Sequence, residues 1–350
     1  MNVKQSHVPL MSVLAFSVMF ALVTVTWVSP ALAVPVTLIS NNPGKVFHDI
    51  ASDGTSIFIQ DSATVYSLPA TGGSISSLYN APPGSPSTFI FGVTVIGSNV
   101  FWGDAQSGPV TDTQIFKAPK AGGGPVTAIY TGFSSGQPIT DITGLETDGI
   151  KLYSADAVQG RVHSLNPDGT GITQIGPNRY GGFFAGAHQN SIAVGEGMVF
   201  IGESGVPTAS GCSGLCNPGI YAHSASNLTG AFVTLFAGLP FQGDGVRGIT
   251  YGDGTVFATQ GNSIFLIDAN GGPLSILTDP DFHDLRGITY DDGGLYVVDQ
   301  FAGSGRILRV GLNAIPEPAT VGLMLVGLLL LGLAPHRYPP AKQPITTRFT

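Results

Sequence analysis

One five-residue pattern returns six times along the chain: an aliphatic residue, an aromatic residue, two more residues, then Asp, Glu or Gln. The instances are Ile57-Phe58…Asp61, Val100-Phe101…Asp104, Leu152-Tyr153…Asp156, Val199-Phe200…Glu203, Val256-Phe257…Gln260 and Leu295-Tyr296…Asp299. Four of them follow an Asp-Gly turn: Asp53-Gly54, Asp148-Gly149, Asp253-Gly254 and Asp292-Gly293. Asp-Gly between two apolar runs is a strong short-range hairpin signal. A third apolar run follows each instance, as in Val65-Tyr66-Ser67-Leu68 or Ile264-Phe265-Leu266-Ile267. A Gly-rich turn and a fourth short run come next, as in Val126-Thr127-Ala128-Ile129-Tyr130 or Leu274-Ser275-Ile276-Leu277.

Four short strands per ~40–50 residues, repeated around the chain, is the pattern of a β-propeller. The expected fold is all-β: a six-bladed β-propeller over residues 34–315. The last repeat lacks its fourth strand, because Gly311 runs almost directly into Pro316. The missing strand is at the front. Pro35-Val36-Thr37-Leu38-Ile39-Ser40 matches the fourth-strand segments Pro125–Tyr130 and Pro273–Thr278. An N-terminal strand is therefore expected to close the last blade, which removes a strand edge that would otherwise stay unpaired.

The repeats resemble those of the LDL-receptor class B (YWTD) and NHL families of six-bladed propellers. Phe101-Trp102-Gly103-Asp104 carries the likeness most fully, and Asp156 before Gly160-Arg161-Val162 and Asp299 before Gly305-Arg306-Ile307 echo it. In YWTD-type propellers the Asp is a tether between strands or blades. The resemblance thus implies that the six acid or amide positions are scaffold.

A binding site in such a ring is expected where the first strand of each blade begins, at the mouth of the axial channel. Positions nine to twelve before each aliphatic–aromatic pair give two rings. One holds His283 or Asp284, Asp244, His188, Asp141 and Phe89; the other holds Arg286, Arg247, Asn190, Thr143, Phe91 and His48. Histidines and carboxylates together suit a divalent cation such as Ca²⁺ or Zn²⁺, and Arg suits a carboxylate. The competing reading is a solvated polar funnel without a ligand. Propellers of the gluconolactonase type, which hold a central metal, imply a second function: a metal-dependent lactonase- or esterase-like hydrolase. No nucleophile elbow or phosphate loop supports an enzyme.

Both ends carry sorting features. Lys4 and His7 precede an apolar stretch from Val8 to Val28; Ser29-Pro30 breaks it, and Ala31-Leu32-Ala33 supplies small residues. This reads as a signal peptide over 1–33, cleaved after Ala33. At the other end Pro316-Glu317-Pro318 precedes an almost purely apolar run, 319–334, and then His336, Arg337, Lys342 and Arg348. Sixteen helical residues span ~24 Å, slightly short of a bilayer core. The basic end would hold the C-terminus in the cytoplasm. Residues 316–350 resemble the PEP-CTERM sorting signal of Gram-negative exosortase substrates, although Tyr338–Thr350 extends further than that signal usually does. The resemblance implies an exosortase-like membrane protease as partner and an inner-membrane transmembrane helix before processing. The processed protein would stand at the cell surface or outside it.

The body between the two ends holds 10 Lys/Arg against 21 Asp/Glu. That acidity argues against nucleic acid as a partner and leaves an extracellular polysaccharide or protein. Cys212 and Cys216 share one loop and, in an exported chain, are expected to form a local disulfide. The expected role is a non-catalytic binding or structural protein of the cell envelope or extracellular matrix.

Overall fold

The computed structural model describes residues 34–80, 90–104, 112–133, 139, 142–156, 160–176, 191–203, 219–227, 229–237, 245–271 and 275–312. The expected signal peptide, the Pro316-Glu317-Pro318 triplet, the expected span 319–334 and the Cys212–Cys216 loop lie outside these residues.

Among the described residues the chain is all β, in six four-stranded antiparallel sheets. The first strand, β1 (Val36–Pro43), belongs to the last sheet. Blade 1 is β2 (Asp49–Ser52), β3 (Ser56–Gln60), β4 (Thr64–Pro69) and β5 (Ser76–Asn80). Blade 2 is β6 (Ile90–Ile96), β7 (Asn99–Asp104), β8 (Asp112–Pro119) and β9 (Thr127–Phe133). Blade 3 is β10 (Ile142–Thr147), β11 (Leu152–Asp156), β12 (Arg161–Leu165) and β13 (Thr173–Ile175). Blade 4 is β14 (Ser191–Gly195), β15 (Met198–Glu203), β16 (Gly219–Ser224) and β17 (Val233–Ala237). Blade 5 is β18 (Gly248–Gly252), β19 (Thr255–Gln260), β20 (Ser263–Asp268) and β21 (Ser275–Thr278). Blade 6 is β22 (Leu285–Asp291), β23 (Gly294–Phe301), β24 (Ser304–Gly311) and, on its outer edge, β1. The first strands touch in ring order: β2 beside β6, then β10, β14, β18, β22 and β2 again.

The repeat explains the packing. Successive residues of a strand point to opposite faces, and each face of a blade meets a different neighbour. Ile57 packs into the cluster shared with blade 6, whereas Phe58, one residue on, packs into the cluster shared with blade 2. Val100 faces back to blade 1 and Phe101 forward to blade 3. Leu152 and Tyr153, then Val199 and Phe200, continue the alternation. The core is thus a set of wedges between blades. All six aliphatic members are 0 % exposed, which leaves no room for a polar substitute at any of them.

Two glycines show how tightly neighbouring blades meet. A Cβ on Gly195 would fall 1.9 Å from Cδ1 of Tyr251, and one on Gly252 would fall 2.2 Å from Cγ of Tyr290. Each missing side chain lets the tyrosine of the next blade lie flat. Phe200 then stacks on Tyr251 at 5.4 Å and Phe257 on Tyr290 at 5.9 Å.

The four Asp-Gly turns fall into two kinds. Asp253-Gly254 and Asp292-Gly293 have both residues at positive φ, as a two-residue type I′ hairpin requires. In the longer turns at Asp53 and Asp148 the carboxylate caps the turn instead. Asp53 accepts the Thr55 and Ser56 N–H at 2.9 and 2.7 Å, and Asp148 the Ile150 and Lys151 N–H at 2.8 and 2.7 Å.

Ring closure follows the sequence expectation. β1 runs antiparallel to β24 from Val36↔Val310 to Pro43↔Ser304, with one irregularity between Leu38 and Ser40. The strand is longer than the six residues that match other repeats, because Asn42 continues the pairing and its amide donates to the Gly305 carbonyl at 3.2 Å. Deleting residues 36–43 should lower the melting temperature by at least ~5 °C; an unchanged thermal transition would refute closure. Gly195→Ala should cost about 1–3 kcal/mol by overpacking against Tyr251, measured by urea unfolding.

Candidate functional site

The cross-strand register aligns the six first strands residue by residue. Ile50, Val93, Leu145, Ile192, Ile249 and Ile288 each pair with the residue two beyond the aliphatic of the repeat. None is more than 4 % exposed. Five of these six, all but Val93, line the axial cavity and give it an apolar waist. The free volume there is about 30 Å³, room for roughly two waters and for no organic ligand.

Two positions upstream of this waist stand His48, Phe91, Thr143, Arg247 and Arg286, the described members of the second ring expected from the sequence. His48, Thr143 and Arg247 line the cavity. Asp284, from the first ring, sits between the guanidinium groups of blades 5 and 6. Its Oδ1 lies 3.4 Å from Arg247 Nη1, and its Oδ2 accepts from Arg286 Nε and Nη2 at 3.3 and 3.2 Å. Burial and the neighbouring Arg286 charge push His48 down to about 4, so its ring is neutral at pH 7. Asp141, His188, Asn190 and Asp244 lie outside the described residues. Among the described residues there is no group of three or more His, Cys, Asp or Glu placed to hold a metal.

His283 is not among the residues lining the cavity. It belongs to a cluster on blade 6: its ring meets Phe301 at 3.8 Å between centroids, and its Nδ1 faces the Asp281 carbonyl at 2.8 Å and Arg306 Nη2 at 3.1 Å. Asp299 anchors this cluster. It is fully buried and accepts the backbone N–H of His283 and Asp284 at 3.0 and 2.8 Å, and Arg306 Nε at 3.0 Å. Asp299 therefore ties the start of β22 to β23 and β24. Asp156 holds the same register opposite Arg161 as Asp299 does opposite Arg306. Asp61 works similarly in blade 1, accepting Lys45 Nζ at 3.2 Å, Tyr66 OH at 2.7 Å and two backbone N–H groups.

Two channel residues escaped the sequence argument. Asp49 stands one position before the waist, where the other first strands carry Gly92, Gly144, Ser191, Gly248 and Gly287. Glu146 stands one position after it, where the others carry Ala51, Thr94, Ala193, Thr250 and Thr289. Superposing the six repeats on the aliphatic–aromatic pair would have exposed both, since each is the one acid in a column of small or hydroxyl residues. Both grip β6: Val93 N–H donates to Asp49 at 3.0 Å, and Thr94 Oγ1 to Glu146 at 3.1 Å. Glu146 also accepts the Thr147 N–H at 2.8 Å. Burial pushes Asp49 up to about 6; burial, with the Asp49 charge adding to it, pushes Glu146 up to about 7.

These shifts fix a pH dependence. Both folded-state values lie above the unfolded ones of 3.8 and 4.5, so the folded protein holds these protons more tightly. Their contribution is complete in acid and is lost as pH rises from about 4 to about 7. The Asp49→Asn, Glu146→Gln double variant should therefore lose less stability than the parent between about pH 5 and pH 8, by on the order of 1–3 kcal/mol. Parallel denaturation midpoints across that range would contradict it. Asp299→Ala removes the fully buried carboxylate that Arg306 and the His283 and Asp284 N–H groups share and should cost ~3 kcal/mol or more, read in the same unfolding assay.

No protein-family model matches the sequence, and no curated protein sequence matches it. Solved structures do match in fold. The nidogen/laminin complex aligns with a TM-score of 0.52 and 15% identity, over 70% of this chain and 85% of that one. The PQQ-bound aldose sugar dehydrogenase of Streptomyces coelicolor aligns with a TM-score of 0.54 and 16% identity, over 81% and 99%. An auxiliary nutrient binding protein of Bacteroides thetaiotaomicron aligns with a TM-score of 0.55 and 11% identity, over 79% and 76%. At these identities the likeness establishes the propeller fold and no activity.

Proposed function

We propose that this propeller is exported, sorted to the cell envelope by its C-terminal signal, and acts there as a non-catalytic binding or structural protein. One observation carries the reading. The axis is stopped by the aliphatic waist, which leaves no room for an organic ligand, and two positions upstream Asp284 bridges the Arg247 and Arg286 guanidinium groups. An axis closed in this way suits docking at the rim better than chemistry in a buried pocket. The acids at Asp61 and Asp299 are engaged in tying strands together, in line with a scaffold role for the repeat. Export and sorting rest on the two ends of the sequence, with an exosortase-like protease and the inner membrane as the partners they imply. An extracellular polysaccharide or protein is the matching outer partner.

A second reading, a metal-dependent lactonase- or esterase-like hydrolase, draws on Asp49 and Glu146, two carboxylates on the axis that hold protons near neutrality. The two readings separate in one set of assays. Intact mass and fractionation from the native host should find a protein lacking 1–33 and the residues beyond about Pro318, at the outer surface or in the medium. The purified protein should give no turnover of lactones or esters with Ca²⁺ or Zn²⁺. Turnover that EDTA abolishes would overturn the binding reading in favour of the hydrolase.

A further inference from the structure

We infer that one buried water molecule is bound in the wedge between blades 2 and 3, bridging Ser154 Oγ of β11 and His163 Nδ1 of β12. The inference is independent of the envelope reading above, because it concerns the seam that holds two blades together.

Ser154 and His163 stand directly opposite each other in the β11–β12 ladder. The pair two residues along, Leu152 and Leu165, belongs to the cluster that packs on Phe101 and Ile115 of blade 2. Residues two apart on a strand share a face, so Ser154 and His163 turn into the same wedge. They are 0 % and 1 % exposed. Ser154 Oγ and His163 Nδ1 are both sealed from solvent, and neither has a hydrogen-bond partner among the described residues. Facing residues of a ladder hold their Cβ atoms ~4.5–5.5 Å apart, which puts both polar atoms within reach of one water. Burial and the Arg161 charge hold His163 down at about 4. Its ring is therefore neutral at pH 7, and each ring nitrogen then has one hydrogen bond to give or take.

The surroundings decide what bridges the two. On one side Leu152, Leu165, Phe101 and Ile115 form an apolar wall. On the other, Asp156 and Arg161 face each other in the same ladder and have partners of their own. Gln174 stands opposite His163 on β13, and its amide nitrogen donates to the Gly176 carbonyl at 2.9 Å. The Arg161 charge opposes a cation here, and the described residues offer no group of three His, Cys, Asp or Glu to hold one. Side chains this deeply buried leave no opening for an organic ligand. A water fits, because it donates or accepts as each partner requires and needs as few as two of them. Bound there, it satisfies two groups whose burial would otherwise carry an uncompensated desolvation cost.

A high-resolution crystal structure of the full chain should show a water within about 3.2 Å of both atoms. An empty gap, a direct Ser154–His163 bond or another protein group on either atom would overturn the inference. Thermal unfolding of the full chain reads the same point by its sign. Ser154→Ala takes a partner from the bound water and should lower the melting temperature by ~2 °C or more. A hydroxyl buried dry would instead gain stability on removal, so a higher or unchanged melting temperature would also overturn it. The Ser154→Ala, His163→Phe double variant removes both partners together and should lose less than the sum of the two single variants; additive losses would contradict a shared water. The crystal structure of the parent decides the matter should a variant fail to fold.

Discussion

Everything in this ring depends on both faces of every sheet being buried against a neighbour. A lone four-stranded sheet with two apolar faces has nowhere to put them. Six such sheets around an axis bury all of them, provided consecutive residues of the second strand serve different interfaces. The aliphatic–aromatic pair does this: the smaller member packs backward and the larger forward, as Ile57 and Phe58 do. Size asymmetry suits the wedge shape, and the aromatic surface finds a flat partner where the next blade offers one, as Tyr251 does for Phe200. Each Phe or Tyr so buried contributes on the order of 1.5–3 kcal/mol of transfer free energy. The pair must therefore recur in every blade, and its recurrence is what makes the fold legible.

The same crowding shapes the axis. First strands of adjacent blades are neighbours without forming a common sheet, so their backbone groups need side-chain partners. Asp49 accepts the Val93 N–H across the β2–β6 junction and Thr250 Oγ1 the Tyr290 N–H at 3.1 Å across the junction of blades 5 and 6, while Glu146 accepts the Thr94 hydroxyl across the β6–β10 junction. Glycine does the complementary task where strands nearly touch: a Cβ on Gly92 would fall 2.4 Å from the Leu145 nitrogen. The waist is the consequence, and it leaves room on the axis for no organic ligand. Charged side chains collect where first strands emerge into solvent, which is why Arg247, Arg286 and Asp284 meet there. The charged cluster is thus a by-product of closing the ring, set by the side chains at one level.

The sequence revealed the six blades and their closing strand because both are written in periodic apolar residues, and periodicity survives reading without an alignment. It also placed His48, Thr143, Arg247 and Arg286 at one level, because counting back from a fixed pair follows the strand register. It did not reveal Asp49 or Glu146. Both lie within the first strand, between the rim and the repeat, and only a column-by-column comparison of blades separates them from ordinary strand residues. It offered His283 or Asp284 for one place at the mouth: Asp284 stands beside Arg247 and Arg286, and the His283 ring packs on Phe301 with Arg306 at its Nδ1. Those partners come from β23 and β24, and counting along a single strand does not register contacts with its neighbours.

Hydrogen–deuterium exchange along β24 tests the closed ring most directly. β24 lies between β23 and β1, so amides of residues 304–310 that face β1 should exchange only through global opening, at the rate of the central strand β20 in blade 5. Exchange of those amides at the fast rate of an exposed strand edge would show that β1 does not complete blade 6, and the account of the fold would fail with it.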